Sequence, residues 1–161
     1  MEILLIKAMP SDAVVLHSMQ IKAFTPLYEK YHDDETSPVK ETVEKILIKM
    51  AQPETTYFKI TLDGTLVGGI RVFQISANRC RVSPIFILPE YQNKGIAQKV
   101  ISSIEKIYSK AVYWCLDTIL QEEGNCYLYE KLGYFRTGEE VIINDNMTLV
   151  SYEKHIIDCN S

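Results

Sequence analysis

Apolar and polar positions along this chain recur with two periods, and the switches between them divide it into strands and helices. Residues 3–9 read as a first strand. Ser11-Asp12 then offers an N-cap to a helical pattern that runs to about Tyr28, with Pro26 placed to bend or end it. The polar cluster from His32 to Pro38 reads as a loop, and residues 39–50 as a second helix with Val43, Ile46, Leu47 and Met50 on one face. Asp63-Gly64, between strand-like runs at 57–62 and 65–76, is a strong hairpin signal. Residues 79–88 form the next strand, 92–108 a helix, 112–120 a strand and 125–132 a short helix. Two final strands, 135–144 and 147–155, pair around Asn144-Asp145-Asn146. With one break among the central strands unplaced, the expected order is βααββββαβαββ.

The stretch Pro89-Glu90-Tyr91-Gln92-Asn93-Lys94-Gly95-Ile96-Ala97 joins a buried-type strand directly to an amphipathic helix. A strand turning into a helix through a Gly-containing loop leaves the first helical N–H groups unpaired, and the helix dipole adds roughly half a positive charge there. Such an end attracts phosphate, and Gly95 lets phosphates approach the backbone. A mononucleotide P-loop would need two glycines four residues apart followed by Lys-Ser or Lys-Thr. A dinucleotide fingerprint would need three glycines. Neither is present.

The run Gln92-x-x-Gly95-x-Ala97, preceded by Ile87-Leu88-Pro89, resembles the pyrophosphate loop of the GNAT family of N-acetyltransferases, written Gln/Arg-x-x-Gly-x-Gly/Ala. About thirty residues on, Leu128-Tyr129-Glu130-Lys131-Leu132-Gly133-Tyr134 resembles that family's C-terminal signature, a short helix ending at a Gly and running into a strand. The two signatures stand in the right order at the right separation. The resemblance implies an α+β fold: a mixed, mostly antiparallel sheet flanked by helices, in which a splayed strand pair holds the cofactor.

That resemblance also implies acetyl-CoA as co-substrate and direct transfer of its acetyl group to an amine. The pantetheine arm would lie between the strand carrying Ile85, Phe86 and Ile87 and the strand from Trp114, pairing with backbone at Ile85 and Ile87. A main-chain N–H at Phe86 or Ile87 would polarise the thioester carbonyl, and Gln92, Asn93, Lys94, Gly95, Ile96, Ala97 and Gln98 would hold the pyrophosphate. Tyr129 matches the signature tyrosine, four residues before Gly133. As a phenol of pKa about 10 it stays protonated at neutral pH, able to donate a proton to the departing thiolate.

One departure concerns the Asn that many members carry seven residues before that tyrosine. Glu122 stands there instead, with Asn125 four before, so either Asn125 takes over the contact to the arm or the contact is missing. No acid occupies a position the family marks as a base, and the candidates are Asp117 and the loop Asp33-Asp34-Glu35. Alternation puts Arg79, Arg81 and Ser83 on one strand face, where an arginine could pair with an acceptor carboxylate or phosphate.

Composition narrows the partners. At 161 residues, 47% hydrophobic and 24% charged, the chain suits one compact domain spanning 1–161, which the resemblance implies is an N-acetyltransferase domain. A net charge of -4 gives no reason to expect nucleic-acid binding, and no apolar run approaches the roughly twenty residues of a membrane span. The start lacks the pattern of a signal peptide, which makes a cytoplasmic location the default. Cys80, Cys115, Cys126 and Cys159 show no C-x-x-C pairing, and His17, His32 and His155 have no ligand spacing, so no metal is expected. The acceptor is expected to be a small-molecule amine. The alternatives are a protein N-terminus or lysine, which would need an open groove where the first two helices meet the last hairpin, and a non-catalytic acetyl-CoA-binding module. The apolar positions of the C-terminal hairpin, with the frequent dimerisation of the family, point to a homodimer.

Overall fold

A computed structural model describes residues 1–156, so Cys159 lies outside the described residues. Seven strands, β1 (Ile3–Lys7), β2 (Thr55–Leu62), β3 (Thr65–Ser76), β4 (Arg79–Ile87), β5 (Tyr113–Ile119), β6 (Phe135–Asn144) and β7 (Met147–His155), form one sheet in the order β1-β2-β3-β4-β5-β7-β6. Every neighbouring pair is antiparallel except β4 and β5. Helices α1 (Ala13–Tyr31) and α2 (Val43–Met50) cover one face, against β2, β3 and β4; α3 (Ile96–Ile107) and α4 (Glu123–Lys131) pack against β1, β4 and β5.

Each face has its own core. Ile96, Val100, Ile101 and Ile104 recur at helical spacing along α3 and are fully covered, packed with Ile60, Val67, Ile70, Trp114 and Leu116 of the sheet. On the other face Ala13, Leu16, Met19 and Ala23 of α1 meet Ile46 of α2 with Tyr57 and Phe86. Phe86 reaches in because β3 carries glycine opposite it. A Cβ on Gly69 would stand 2.6 Å from the Phe86 ring, and one on Gly68 only 2.1 Å from the Phe86 carbonyl oxygen. The Gly68-Gly69 pair thus sets how closely β3 and β4 approach.

Several boundaries differ from expectation. Three strands, not four, separate α2 from α3, since β3 runs unbroken from Thr65 to Ser76. Pro26 does not end α1, which continues five residues further to a left-handed cap at His32; packing of the helix on the sheet overrides the lost hydrogen bond. α2 begins only at Val43, after a 3-10 turn at Pro38–Lys40, because Thr42 is the residue whose hydroxyl caps it, accepting from the Lys45 N–H. Leu47 consequently lies at the exposed edge of α2. α3 begins at Ile96 rather than Gln92, since Pro89–Tyr91 forms a 3-10 turn and Asn93 and Gly95 both take positive φ.

Candidate active site

The only parallel pairing in the sheet is also its weakest seam. β4 and β5 are in register over Arg79↔Tyr113, Cys80↔Trp114 and Arg81↔Cys115 and nowhere beyond. From Val82 onward the two strands part, leaving backbone groups of β4 without a strand partner on that side. Leu88 N–H donates to the Val67 carbonyl at 2.8 Å across β3. Alternation then turns Phe86 toward β3 as well, and turns Ile85 and Ile87 into the gap. The Ile87 carbonyl confirms this orientation, for the Gln92 side-chain amide reaches it at 2.9 Å. Of the two expected donors for a thioester oxygen, the Ile87 N–H faces the gap and the Phe86 N–H does not.

Below the gap, the loop before α3 leaves a row of backbone donors open. Among the described residues no backbone acceptor serves the N–H groups of Asn93, Lys94, Gly95, Ile96, Ala97 or Gln98; the first helical bond runs from Lys99 N–H to the Gly95 carbonyl at 3.3 Å. Gly95 has φ +80°, and a Cβ there would meet nothing within 4 Å. Unpaired donors, a helix N-terminus and open space above them fit a pyrophosphate. A cavity of about 590 Å³ runs from this loop up into the gap. Ile85, Phe86, Ile87, Gln92, Asn93, Gly95, Ile96, Ala97, Gln98 and Asn125 all line it. Lys94 does not: its ammonium turns back over the Tyr91 ring, 5.7 Å from the centroid. Gln92 serves the loop as a brace through its bond to Ile87.

A second cavity of about 250 Å³ adjoins the first, walled by Phe24 and Leu27 of α1, the loop 33–38, β4, β5 and Met147 and Leu149 of β7. Five residues line both cavities: Phe24, Leu27, Ile85, Asn125 and Tyr129. Tyr129 is 8% exposed, its ring set edgewise near Tyr134 and tilted near Tyr152, with centroids 6.0 and 6.1 Å away. Burial pushes its phenol up to about 12. No described residue hydrogen-bonds that hydroxyl, whereas Tyr134 donates to Glu105 at 2.9 Å and Tyr152 to Glu130 at 3.2 Å. Tyr127, the neighbouring candidate, is 69% exposed.

The family model of the acetyltransferase (GNAT) family matches residues 18–134, nearly three quarters of the chain. The chain belongs to the GNAT family. It is therefore an N-acetyltransferase. No curated protein sequence matches it. Solved structures share its fold: the PaiA N-acetyltransferase of Thermoplasma acidophilum with coenzyme A has 19% identity and TM-score 0.78, over 96% of this chain and 99% of that one. A spermidine N-acetyltransferase of Vibrio cholerae with coenzyme A and spermine has 18% identity and TM-score 0.74, over 95% of each chain. The ribosomal-protein-S18-alanine N-acetyltransferase of Escherichia coli has 12% identity and TM-score 0.76, over 98% and 96%. At these identities the likeness is one of fold, and it spans small-molecule and protein enzymes alike.

The remaining candidates sort by their partners. Glu122 is tied to α1: Lys30 reaches it at 2.8 Å and the Tyr31 hydroxyl also donates to it. Burial would raise the Glu122 pKa, but those two bonds outweigh it and hold the carboxyl below its usual value. Asn125, by contrast, is exposed in the groove with its side chain unengaged. Asp117 has both oxygens occupied, by Arg81 at 2.6 Å and Ser151 at 2.8 Å. Asp34 accepts from Tyr28, and Glu35 points to a separate hollow beside α2. Asp33 is buried on the wall of the smaller cavity. Arg79 pairs with Glu153 and Arg71 with the Ser83 carbonyl, so neither is free for an acceptor anion. Among the described residues no cluster of three His, Cys, Asp or Glu side chains could hold a metal, and no helix is long and apolar enough to cross a membrane.

Sequence reasoning missed Phe24 and Leu27, the Glu122 tie to α1, and the bond from the Asn144 amide to the Tyr31 carbonyl at 2.9 Å. Phe24 and Leu27 are three apart on α1, a weak signal that they share a face. Nothing local links residues 31, 122 and 144.

Proposed function

We propose that this GNAT enzyme, acting as a single domain, acetylates the primary amine of a small molecule by direct transfer within a ternary complex. The observation that carries this reading is the meeting of two cavities at Tyr129 and Asn125, the larger for the cofactor and the smaller for the acceptor. At about 250 Å³ the acceptor side is modest, beside a 150 Å³ cavity known to take benzene. A peptide would need an open groove between the helices and the last hairpin, and the Asn144–Tyr31 bond bridges that place.

Acetyl-CoA supplies an activated thioester. The N–H groups of Asn93 to Gln98 bind and orient its phosphates, and Asn125 faces the arm in place of the usual family Asn. The Ile87 N–H is the donor aimed at the carbonyl oxygen, in a position that an oxyanion would strengthen. The acceptor nitrogen, having lost one proton to bulk water, attacks the carbonyl carbon; the C–N bond forms, the C–S bond breaks, and sulfur leaves with the electron pair. Tyr129 offers its phenolic proton to that sulfur and regains one from solvent through the open acceptor cavity. The second proton of the nitrogen goes to solvent through the open acceptor cavity. Thiol release from acetyl-CoA, screened over small primary amines and over peptides with free N-termini or lysines, tests the reading. Saturable release with small amines is expected; release with peptides alone would contradict it.

A further inference from the structure

The acceptor cavity contains one carboxylate that the protein leaves uncompensated. Asp33 is 6% exposed, and α1 places it there by ending in the left-handed cap at His32, after which the Asp33 carbonyl accepts from the N–H groups of Thr36 and Ser37. One side-chain oxygen, Oδ2, accepts from the Thr36 hydroxyl at 3.0 Å. The other has no hydrogen-bond partner among the described residues, and none of their ion pairs includes Asp33. The cavity's other carboxylate, Asp117, is neutralised by Arg81 at 2.6 Å. The net charge of the wall is therefore that of Asp33.

A carboxylate set in a cavity wall with no protein cation beside it leaves its charge for a ligand that brings one, in a charge-assisted hydrogen bond. The position of Asp33 decides which end of the acceptor it meets. The reacting nitrogen has to lie where the two cavities join, at Ile85, Asn125 and Tyr129. Asp33 lines the acceptor cavity on wall the cofactor cavity does not share. The acceptor cavity also has apolar wall, from Leu116 and from Phe24 and Leu27, which line both cavities.

We propose that Asp33 selects the acceptor by binding a second cationic group at the end remote from the reacting nitrogen, so that the preferred substrates are short diamines rather than monoamines. This rests on the small-molecule reading above. The apolar wall suits the methylenes between two ammonium groups, one of which stays charged on Asp33 while the other loses a proton to become the nucleophile.

The test compares 1,4-diaminobutane with n-butylamine, matched in length, as acceptors for the wild type, Asp33→Asn and Asp33→Glu. The wild type should prefer the diamine in kcat/KM by at least about tenfold, the equivalent of one charge-assisted hydrogen bond, with the difference mainly in KM. In Asp33→Asn that ratio should fall to within about twofold of one, while Asp33→Glu, which keeps the charge, should retain a preference. Calorimetric acetyl-CoA affinity, read in the same variants, reports whether the fold and cofactor site are intact. No preference in the wild type, or a preference that survives Asp33→Asn in a variant that still binds acetyl-CoA, overturns the inference alone. Acetylation of peptides with neither amine accepted overturns the small-molecule reading and this inference with it.

Discussion

Replacing Tyr129 by Phe removes one hydroxyl from the junction of the two cavities and leaves the buried ring in place. Since no described residue hydrogen-bonds that hydroxyl, the fold loses no partner and the melting temperature should barely move. The kinetic magnitude follows from the phenol's acidity. At a pKa of about 12, Tyr129 is a weaker acid than a solvent-exposed tyrosine. Full transfer of its proton to a thiolate of ordinary pKa, about 8.5, would be uphill by about 3.5 units, or about 5 kcal/mol. Burial of the forming thiolate in the same site narrows that gap. The contribution left is a hydrogen bond to developing charge, about 1.5–3 kcal/mol, or about 10- to 100-fold. Tyr129→Phe should thus lower kcat by about 10- to 100-fold, the shallow end of general acid catalysis. KM and acetyl-CoA affinity should stay close to wild type. Stopped-flow single turnovers at saturating acetyl-CoA isolate the chemical step. A variant with wild-type single-turnover rate would refute the reasoning and make Tyr129 a packing residue.

Gly95→Val forces a β-branched side chain onto φ +80°, costing about 1–2 kcal/mol, and projects it into the space above the unpaired N–H groups. Acetyl-CoA affinity by calorimetry should fall at least about tenfold in a folded variant, and unchanged affinity would put the pyrophosphate elsewhere. Gly68→Ala would press a Cβ against the Phe86 carbonyl and displace β4, which carries Ile85 and Ile87. Urea unfolding should show a loss of about 1–3 kcal/mol, accompanied by weaker acetyl-CoA binding; a neutral result would mean that the strands separate freely. The buried phenols of Tyr57, Tyr129 and Tyr134 all have raised pKa values, chiefly through burial. A raised folded pKa gives stability that is full below the unfolded value near about 10 and falls as pH rises toward the folded one. The urea midpoint should hold from pH 7 to 9 and drop between pH 10 and 12, and a flat profile across pH 12 would contradict the burial of these groups.

How much was legible in the sequence depended on how local the signal is. The α3 stripe of Ile96, Val100, Ile101 and Ile104, the Asp63-Gly64 hairpin and the last two strands were all readable, because each is set by neighbours within one turn or one pleat. The turn before α3 was legible for a similar reason, Gly95 and the helix behind it being contiguous. The direction of the Lys94 side chain was not legible, because it depends on what lies beside it, here Tyr91. Pro26 looked like an end because propensity argues for one, and tertiary packing of α1 prevailed. Asp33 could not be separated from Asp34 and Glu35 by sequence. Their different fates come from the turn after His32, which buries the first, gives the second to Tyr28 and faces the third toward α2. The divergence of β4 from β5, on which the whole site depends, is a property of two strands more than thirty residues apart.

The central claim is direct transfer of acetyl from acetyl-CoA to a small amine where the two cavities meet. Initial rates measured with both substrates varied, alongside intact-protein mass after incubation with acetyl-CoA alone, test it most directly. The account predicts intersecting reciprocal lines, a ternary complex and no mass added to the protein. Parallel lines together with a stable acetyl adduct, on Cys115 or Cys126 for instance, would contradict it.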